Sequence, residues 1–491
     1  MSRRPSLDRR TILSWLGALL LFAFWLRYSF SVQGYENDFF WQLKVGLLSL
    51  QTHHLNNHDL FSWTAYHKPW LNQEWLGQIF LAGLFKIGSF PLVKLGWWFM
   101  LVLQFVMIGW IFIRAKVSPF LSAFFALVVC LLLGEINMTP RMQEFSLLGL
   151  SITAIVLQRW QLERSLGRWR YAYPLIVVLW ANLHGGGAIG GPASLSLVLA
   201  IEALLSVRQK NWQALKPLLG TTLLSWLALL INPHTFQLIV YSFASLWDPD
   251  VQAMQKIILE WQPFSWALRD SGIYLAWAIA EILALIASRR KVSKLPMLAF
   301  AIAWAIMGIH AIRFLPFAMI ASTPLLASLA KEEGWLDIGR RRIAAQTAIV
   351  ALFSWILLFP RLQQLQQGAI FDGNSFPSVQ SLEALKADAS HSRLFNLYDW
   401  GGFLIYTLYP DVKVFIDGRQ YLYGAKLNED HQVLKHALPG WQAALKAYRI
   451  DAVFVPPYVE LAAALRTLPG WHMAYADPTA VLFLKNASPR P

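Results

Sequence analysis

Near the start of the chain, Tyr35-Glu36-Asn37-Asp38-Phe39-Phe40-Trp41 sets two carboxylates against a run of aromatics. A carboxylate beside so much apolar surface is costly unless it is paired or used, so Asp38 is a candidate general base, with Glu36 as its companion. Asp is equally a favoured N-cap, and Asp38 is placed to cap the amphipathic stretch 39–50. Asp59, Glu74, Arg141, Glu144, Asn182, His184, Glu260, His310 and Arg313 follow, at or between the ends of apolar runs. Arg141 and Arg313 offer forked donors that match phosphate oxygens and stay charged; snorkelling to lipid phosphate is the alternative. Asn182-Leu183-His184-Gly185-Gly186-Gly187 reads either as a glycine-broken helix end with His184 facing a cavity, or as backbone N–H groups that receive a phosphate. His53, His54 and His58 resemble a metal tract, but only His54 and His58 stand at i,i+4, and solvated interface histidines are the alternative. Late in the chain Asp417-Gly418-Arg419 follows a strand-like run, and ligands of α/β sheets bind beyond the carboxyl ends of strands. An Asp417–Arg419 or Asp399–Arg419 salt bridge bracing a turn accounts for the same residues.

The elements that must carry these groups are apolar. The 491 residues are 56% hydrophobic and 14% charged, against about 25% charged in a typical soluble domain, which excludes a soluble fold. Cys130 is the one cysteine, so there is neither a disulfide framework nor a Cys-based metal site. Apolar runs near the roughly 20 residues that a crossing needs centre on 12–31, 92–113, 118–134, 145–160, 171–186, 188–206, 215–231, 271–288, 296–311, 314–330 and 342–360. The segments 1–10, 114–116, 159–170, 208–216, 289–294 and 331–342 hold 21 of the 42 Lys and Arg, which makes them the inside loops. If 75–88 also crossed, every later basic loop would change sides, so it is expected to lie in the outer interface. The first helix is expected to be an uncleaved anchor, since no small-x-small site follows it.

The expected fold is therefore a multi-pass α-helical membrane protein with about eleven crossings and outer interfacial helices, the N-terminus inside. Residues 1–360 form the membrane module, with a first outer loop 32–91, and 361–491 a soluble α/β domain outside. In that tail, strand-like runs Arg393 to Asn396, Lys413 to Asp417, Ala452 to Pro456 and Ala480 to Lys485 alternate with helical patterns Gly402 to Leu408, Asp430 to Tyr448 and Val459 to Leu468. The alternation argues a partly parallel sheet.

This topology gathers the polar residues on the outer side, whereas the inside loops offer Arg, Lys and little else. A carrier should show ionisable groups at helix midpoints and paired broken helices; here only Glu202 and Glu281 lie within helices. The pattern is that of an enzyme mouth at the outer interface. A transporter or flippase of a lipid-linked sugar or other polar solute is the alternative, and a scaffold without chemistry leaves the acidic first loop unexplained. The net charge of +14 follows the inside loops and implies no nucleic acid.

The set Asp38-Phe39-Phe40-Trp41, Asp59-Leu60-Phe61-Ser62-Trp63-Thr64 with Trp70 and Glu74-Trp75, Trp180-Ala181-Asn182-Leu183-His184-Gly185, Tyr398-Asp399-Trp400-Gly401-Gly402 and Phe415-Ile416-Asp417-Gly418-Arg419 resembles a bacterial branch of the GT-C class of integral-membrane glycosyltransferases. That branch is related to protein O-mannosyltransferases and lipid A aminoarabinose transferases, and the resemblance covers nearly the whole chain. It implies transfer of a sugar from a polyprenyl-phosphate donor, at the outer face of the cytoplasmic membrane, to an acceptor protein, lipid or glycan. The first-loop acid, matched by Asp38, is then central. Arg313, Arg141, His184, Glu74, Asp59, Asn182, His310, Asp417 and Arg419 are the expected substrate-binding set. No metal site is assigned, and a divalent cation is left open. Gln42 stands where many relatives have His, one turn after Asp38, which weakens a metal proposal there.

Overall fold

A computed structural model describes residues 9–31, 35, 37–137, 139–209, 212–244, 247–265, 294–332 and 376–486. Glu36, Glu281 and the expected crossings 271–288 and 342–360 lie outside the described residues. The helices of the first part are α1 (Arg9–Ser31), α2 (Asn37–Thr52), α3 (Trp75–Arg114), α4 (Pro119–Asn137), α5 (Gln143–Glu163), α6 (Trp169–Leu183), α7 (Gly185–Ala188), α8 (Gly190–Gln209), α9 (Lys216–Ala228), α10 (Phe236–Phe243), α11 (Pro249–Ile257), α12 (Leu295–His310) and α13 (Leu315–Glu332). Among the described residues, five stretches are long and apolar enough to cross a membrane: Thr11–Phe30, Trp75–Arg114, Gln143–Glu163, Gly185–Val207 and Ile312–Leu329. Pro119–Leu133 and Leu295–His310 are shorter apolar helices. The chain is a multi-pass membrane protein; α6 and α9, with 15 and 13 residues, fall short of a full crossing by length.

The stretch 75–88 is no separate element. It opens α3, whose 40 residues would run ~60 Å if straight, about twice the hydrocarbon thickness. The helix breaks instead at Gly88 and Ser89, with Pro91 just beyond. A proline ring cannot sit in an unbroken helix without clashing with the preceding turn. The arm before the break packs on α2, where a Cβ on Gly46 would stand 2.1 Å from the Gln78 carbonyl oxygen.

The tail holds α14 (Val379–Ala389), α15 (Tyr398–Leu408), α16 (Gln420–Lys435), α17 (Trp441–Ala447) and α18 (Glu460–Leu465), around strands β1 (Leu394–Asn396), β2 (Ala452–Val455), β3 (Trp471–Ala476) and β4 (Val481–Lys485). The sheet order is β1-β2-β4-β3, with β1 and β2 parallel and the other pairs antiparallel, so it is partly parallel as expected. Strand β3 gave no sequence signal, because Trp-His-Met-Ala-Tyr-Ala lacks β-branched residues and most of it is exposed at the sheet edge. The run 413–417 is not a strand of this sheet. Val414 instead bridges to Ser62, exchanging bonds with Phe61 O and Trp63 N. The expected helix 430–448 is two helices, parted where Ala437 and Gly440 take positive φ.

The segment 37–74 and the tail share their cores. Trp41, Val45 and Phe61 pack with Trp400, Leu404, Ile405 and Phe454. Trp63 Nε1 donates to Leu394 O at 2.9 Å, and Thr64 Oγ1 to Phe415 O at 2.5 Å. Asn37 clamps the start of α15: its Nδ2 donates to Tyr398 O at 2.9 Å, and its Oδ1 accepts from Gly402 N at 2.6 Å.

Candidate active site

Helix α2 serves three neighbours at once, because residues three and four apart share a face. Phe39, Phe40 and Leu43 pack on α3. Trp41 and Val45 pack on the tail. Asp38 and Gln42 are left facing a cavity of about 330 Å³. Its walls are the chain leading into α3 (Pro69 to Glu74), His184, Tyr241, Arg313, and Gly418 to Leu422 of the tail.

Asp38 accepts the Trp41 indole N–H at 2.9 Å, and no backbone amide bonds its carboxylate among the described residues. It stands in the first turn of α2 without capping it. Burial pushes its carboxyl up to about 7, and the negative charges of Glu260, Asp417 and Asp399 act in the same direction. Glu74, just before α3, is also pushed up to about 7, by burial and then by Asp38. Gln42 Nε2 donates to Glu74 Oε2 at 2.9 Å, and His184 Nε2 lies 3.5 Å from Glu74 Oε1. His184 sits at the break between α6 and α7, its Nδ1 2.5 Å from Ser146 Oγ, which also accepts the Trp180 indole N–H at 2.7 Å.

The glycine run at 185–187 is explained by close packing. Gly185 N donates to Gln73 O at 3.0 Å, and a Cβ on Gly187 would stand 2.0 Å from Ser146 Oγ. The Gly185 amide is therefore spent on the protein. Asn182 is spent as well: its Oδ1 accepts from Trp75 Nε1 at 3.0 Å, and its Nδ2 donates to Val178 O and Ile231 O.

Arg313 lies in the turn between α12 and α13 and stacks on Trp261, 4.4 Å from the ring centroid. Its Nη1 is 3.4 Å from Glu260 Oε1, while Arg141 Nη1 is 3.5 Å from Glu260 Oε2. One carboxylate thus stands between two guanidiniums. Arg313 also borders a second lobe of about 140 Å³, together with Trp261, Phe314 and Phe317. Gln73, His184, Tyr241, Arg313 and Tyr421 line both lobes and so mark the passage between them.

The tail closes the chamber through Asp417-Gly418-Arg419. Arg419 borders the chamber, but its guanidinium turns inward: Nη2 is 2.6 Å from Asp417 Oδ2 and 2.7 Å from Asp59 Oδ1, between the rings of Phe61 and Trp70. Asp59 further accepts from Phe61 N and Ser62 N, and Tyr423 donates to Asp417 Oδ2 at 2.5 Å. His310 is exposed at the end of α12, away from the chamber lining. His53, His54 and His58 are exposed, and no group of three potential metal ligands occurs among the described residues. Gln73, Tyr241 and Tyr421 were not among the expected site residues, since single uncharged side chains outside a motif carry no signal of their own.

No family model and no curated protein matches the sequence. Solved structures do. ArnT from Cupriavidus metallidurans bound to undecaprenyl phosphate superposes at a TM-score of 0.54 and 13% identity, covering 97% of this chain and 98% of that one. The archaeal oligosaccharyltransferase AglB from Archaeoglobus fulgidus, in complex with an inhibitory peptide and a dolichol-phosphate, gives 0.58 at 12% identity over 96% of this chain and 75% of that one. The architecture described above, a helical membrane bundle that shares its cavity with a C-terminal α/β module, is the fold of the GT-C glycosyltransferases to which both of these proteins belong.

Proposed function

We propose that this protein transfers a sugar from a polyprenyl-phosphate-linked donor to an acceptor protein, lipid or glycan at the outer face of a bacterial cytoplasmic membrane. The topology that goes with this reading has eleven crossings, a cytoplasmic N-terminus and residues 361–491 outside. The observation that carries it is that Asp38, pushed up to about 7, and Arg313, between two lobes, line one chamber. The fold likeness to a transferase crystallised with undecaprenyl phosphate supports it.

The acceptor's hydroxyl or amine attacks the anomeric carbon while Asp38 takes its proton, since a base with affinity near working pH is effective in both directions. The bond from that carbon to the phosphate oxygen breaks, and its electron pair stays on the phosphate. The leaving group gains negative charge, which Arg313 receives with forked donors and Arg141 supports from across Glu260. No acid is needed for an anionic leaving group. The apolar side chains of the second lobe suit the lipid next to the phosphate.

Sugar release from polyprenyl-phosphate donors by the purified protein in detergent tests the reading. A transferase turns over without a sealed bilayer. A protein that moves such lipids only across intact vesicles and releases no sugar is a transporter instead.

A further inference from the structure

Glu260 belongs to the turn Leu259–Trp261 that follows α11, and the backbone fixes it against both arginines. Ile312 N donates to Gln262 O at 3.0 Å and Phe264 N to Ile309 O at 3.0 Å, which ties this turn to the α12–α13 turn that carries Arg313. Gln143 Nε2, from the start of α5 just beyond Arg141, donates to Arg313 O at 3.5 Å. The order Arg141, Glu260, Arg313 is therefore built into the chain around it.

The contacts within this row are open. Arg419 closes a fork on Asp417, with Nε and Nη2 at 2.9 and 2.6 Å from its two oxygens. Glu260 instead gives one oxygen to each arginine, at 3.4 and 3.5 Å, beyond the roughly 2.7–2.9 Å of a charge-assisted bond. It acts on them through its charge and closes neither fork. Arg313 lines both lobes, whereas Glu260 borders neither, so an anion in the chamber meets the guanidinium without displacing the carboxylate. Two guanidiniums and one carboxylate then offer a phosphate a single net positive charge.

We propose that Glu260 determines which lipid phosphate the arginine pair retains: it suits the pair to the singly charged phosphodiester donor, and it speeds the departure of the phosphomonoester left after transfer. This selectivity rests on the transfer reading above. The donor diester carries one negative charge. When its anomeric C–O bond breaks, the electron pair stays on the phosphate, and the spent carrier approaches two charges at neutral pH. Attraction to the arginines grows in proportion to the ligand's charge, whereas the cost of taking that charge out of water grows with its square. A site of one net positive charge therefore favours the diester, and a site of two would hold the monoester.

Binding of undecaprenyl phosphate and of its methyl diester to the full-length protein in detergent tests this, since the probes share the lipid and differ by one charge. Removing the carboxylate strengthens attraction in proportion to the probe's charge, so Glu260→Gln should tighten the diester about threefold and the monoester about tenfold. Glu260→Ala, a second neutral variant, should repeat the pattern, and Glu260→Asp should keep the wild-type ratio between the probes. Melting temperatures confirm that the variants are folded. If Glu260 only braced the arginines, both probes would bind Glu260→Gln more weakly; if it only crowded them, both would tighten by the same factor. Either result, or no change, overturns the proposal. The transfer reading fails separately: a wild type that binds neither probe, or Arg313→Ala that binds both like wild type, removes the phosphate site itself and this selectivity with it.

Discussion

Gly418 and Asp38 are in van der Waals competition for the same space: a Cβ built on Gly418 would stand 1.7 Å from Asp38 Oδ1 and 2.8 Å from Trp41 Nε1. The tail therefore reaches the acid of the first loop through a residue without a side chain. No left-handed backbone is involved, since Gly418 is not among the positive-φ glycines, so the requirement is purely one of room.

Gly418→Ala should accordingly leave a folded protein, with the ~1–3 kcal/mol loss usual for overpacking, yet push the carboxylate out of place. A misplacement of about 1 Å costs on the order of a hundredfold in rate, so sugar release should fall by that much. Normal turnover in the alanine variant would show that Asp38 does not act from the position described.

Asp38→Asn removes the proton acceptor at nearly constant shape. Turnover should drop at least about a hundredfold with little loss of expression, as for a lost general base. The wild-type pH dependence has a definite sign. Asp38 binds its proton more tightly than a free carboxyl, so the base is fully available above about 7 and is lost as pH falls through that value. A rate that instead falls as pH rises through neutrality would point to an acid.

Much of this was legible in the sequence because charge and apolar surface are expensive to misplace. Asp38, Glu74 and Arg313 stood out as ionisable residues in an apolar chain, and the structure brings them to one chamber. Other parts were not legible for physical reasons. Nothing in Lys413 to Asp417 tells a strand of the sheet from a segment that binds the first loop, since both need extended, apolar backbone. The pairing of Arg419 with Asp59 spans 360 residues, and no local pattern encodes it. The break in α3 had a signal in Gly88 and Pro91, but the break and the helix around it are settled by packing on α2.

Arg313 separates charge from geometry. Arg313→Lys keeps a cation but loses the fork, so donor use should weaken partially, whereas Arg313→Ala should nearly abolish it. The comparison is made at limiting donor. Unchanged use of donor by Arg313→Ala would leave this arginine as a partner of Glu260 and Trp261 only.

The orientation is open to thiol labelling. In a Cys130→Ser background, single cysteines at Asn57, Pro249 and Ser378 should react with an impermeant reagent in intact cells, and one at Lys291 should not. Asn57 and Pro249 are exposed, so access is not the obstacle. Labelling of Lys291→Cys from outside would reverse the assigned faces and move the chamber away from the outer side.

Arg419 offers the last test, because two roles for it predict opposite measurements. As an acceptor contact at the chamber edge, its loss should raise the acceptor KM and spare stability, since a ground-state contact acts on binding. As a brace, its loss strands Asp59 and Asp417 with their charges buried and opposed. Its side chain is 1% exposed and those of Asp59 and Asp417 are 0% exposed, so the three charges are buried together, with only Nη1 of the guanidinium lacking a hydrogen-bond partner among the described residues. Removing one partner of a buried ion pair costs roughly 3–5 kcal/mol, so Arg419→Ala should show a large fall in Tm with little change in acceptor KM. Relieving the stranded charges should restore part of the loss, which makes Arg419→Met combined with Asp417→Asn and Asp59→Asn the confirming variant. A raised acceptor KM at wild-type Tm would instead make Arg419 part of the acceptor site.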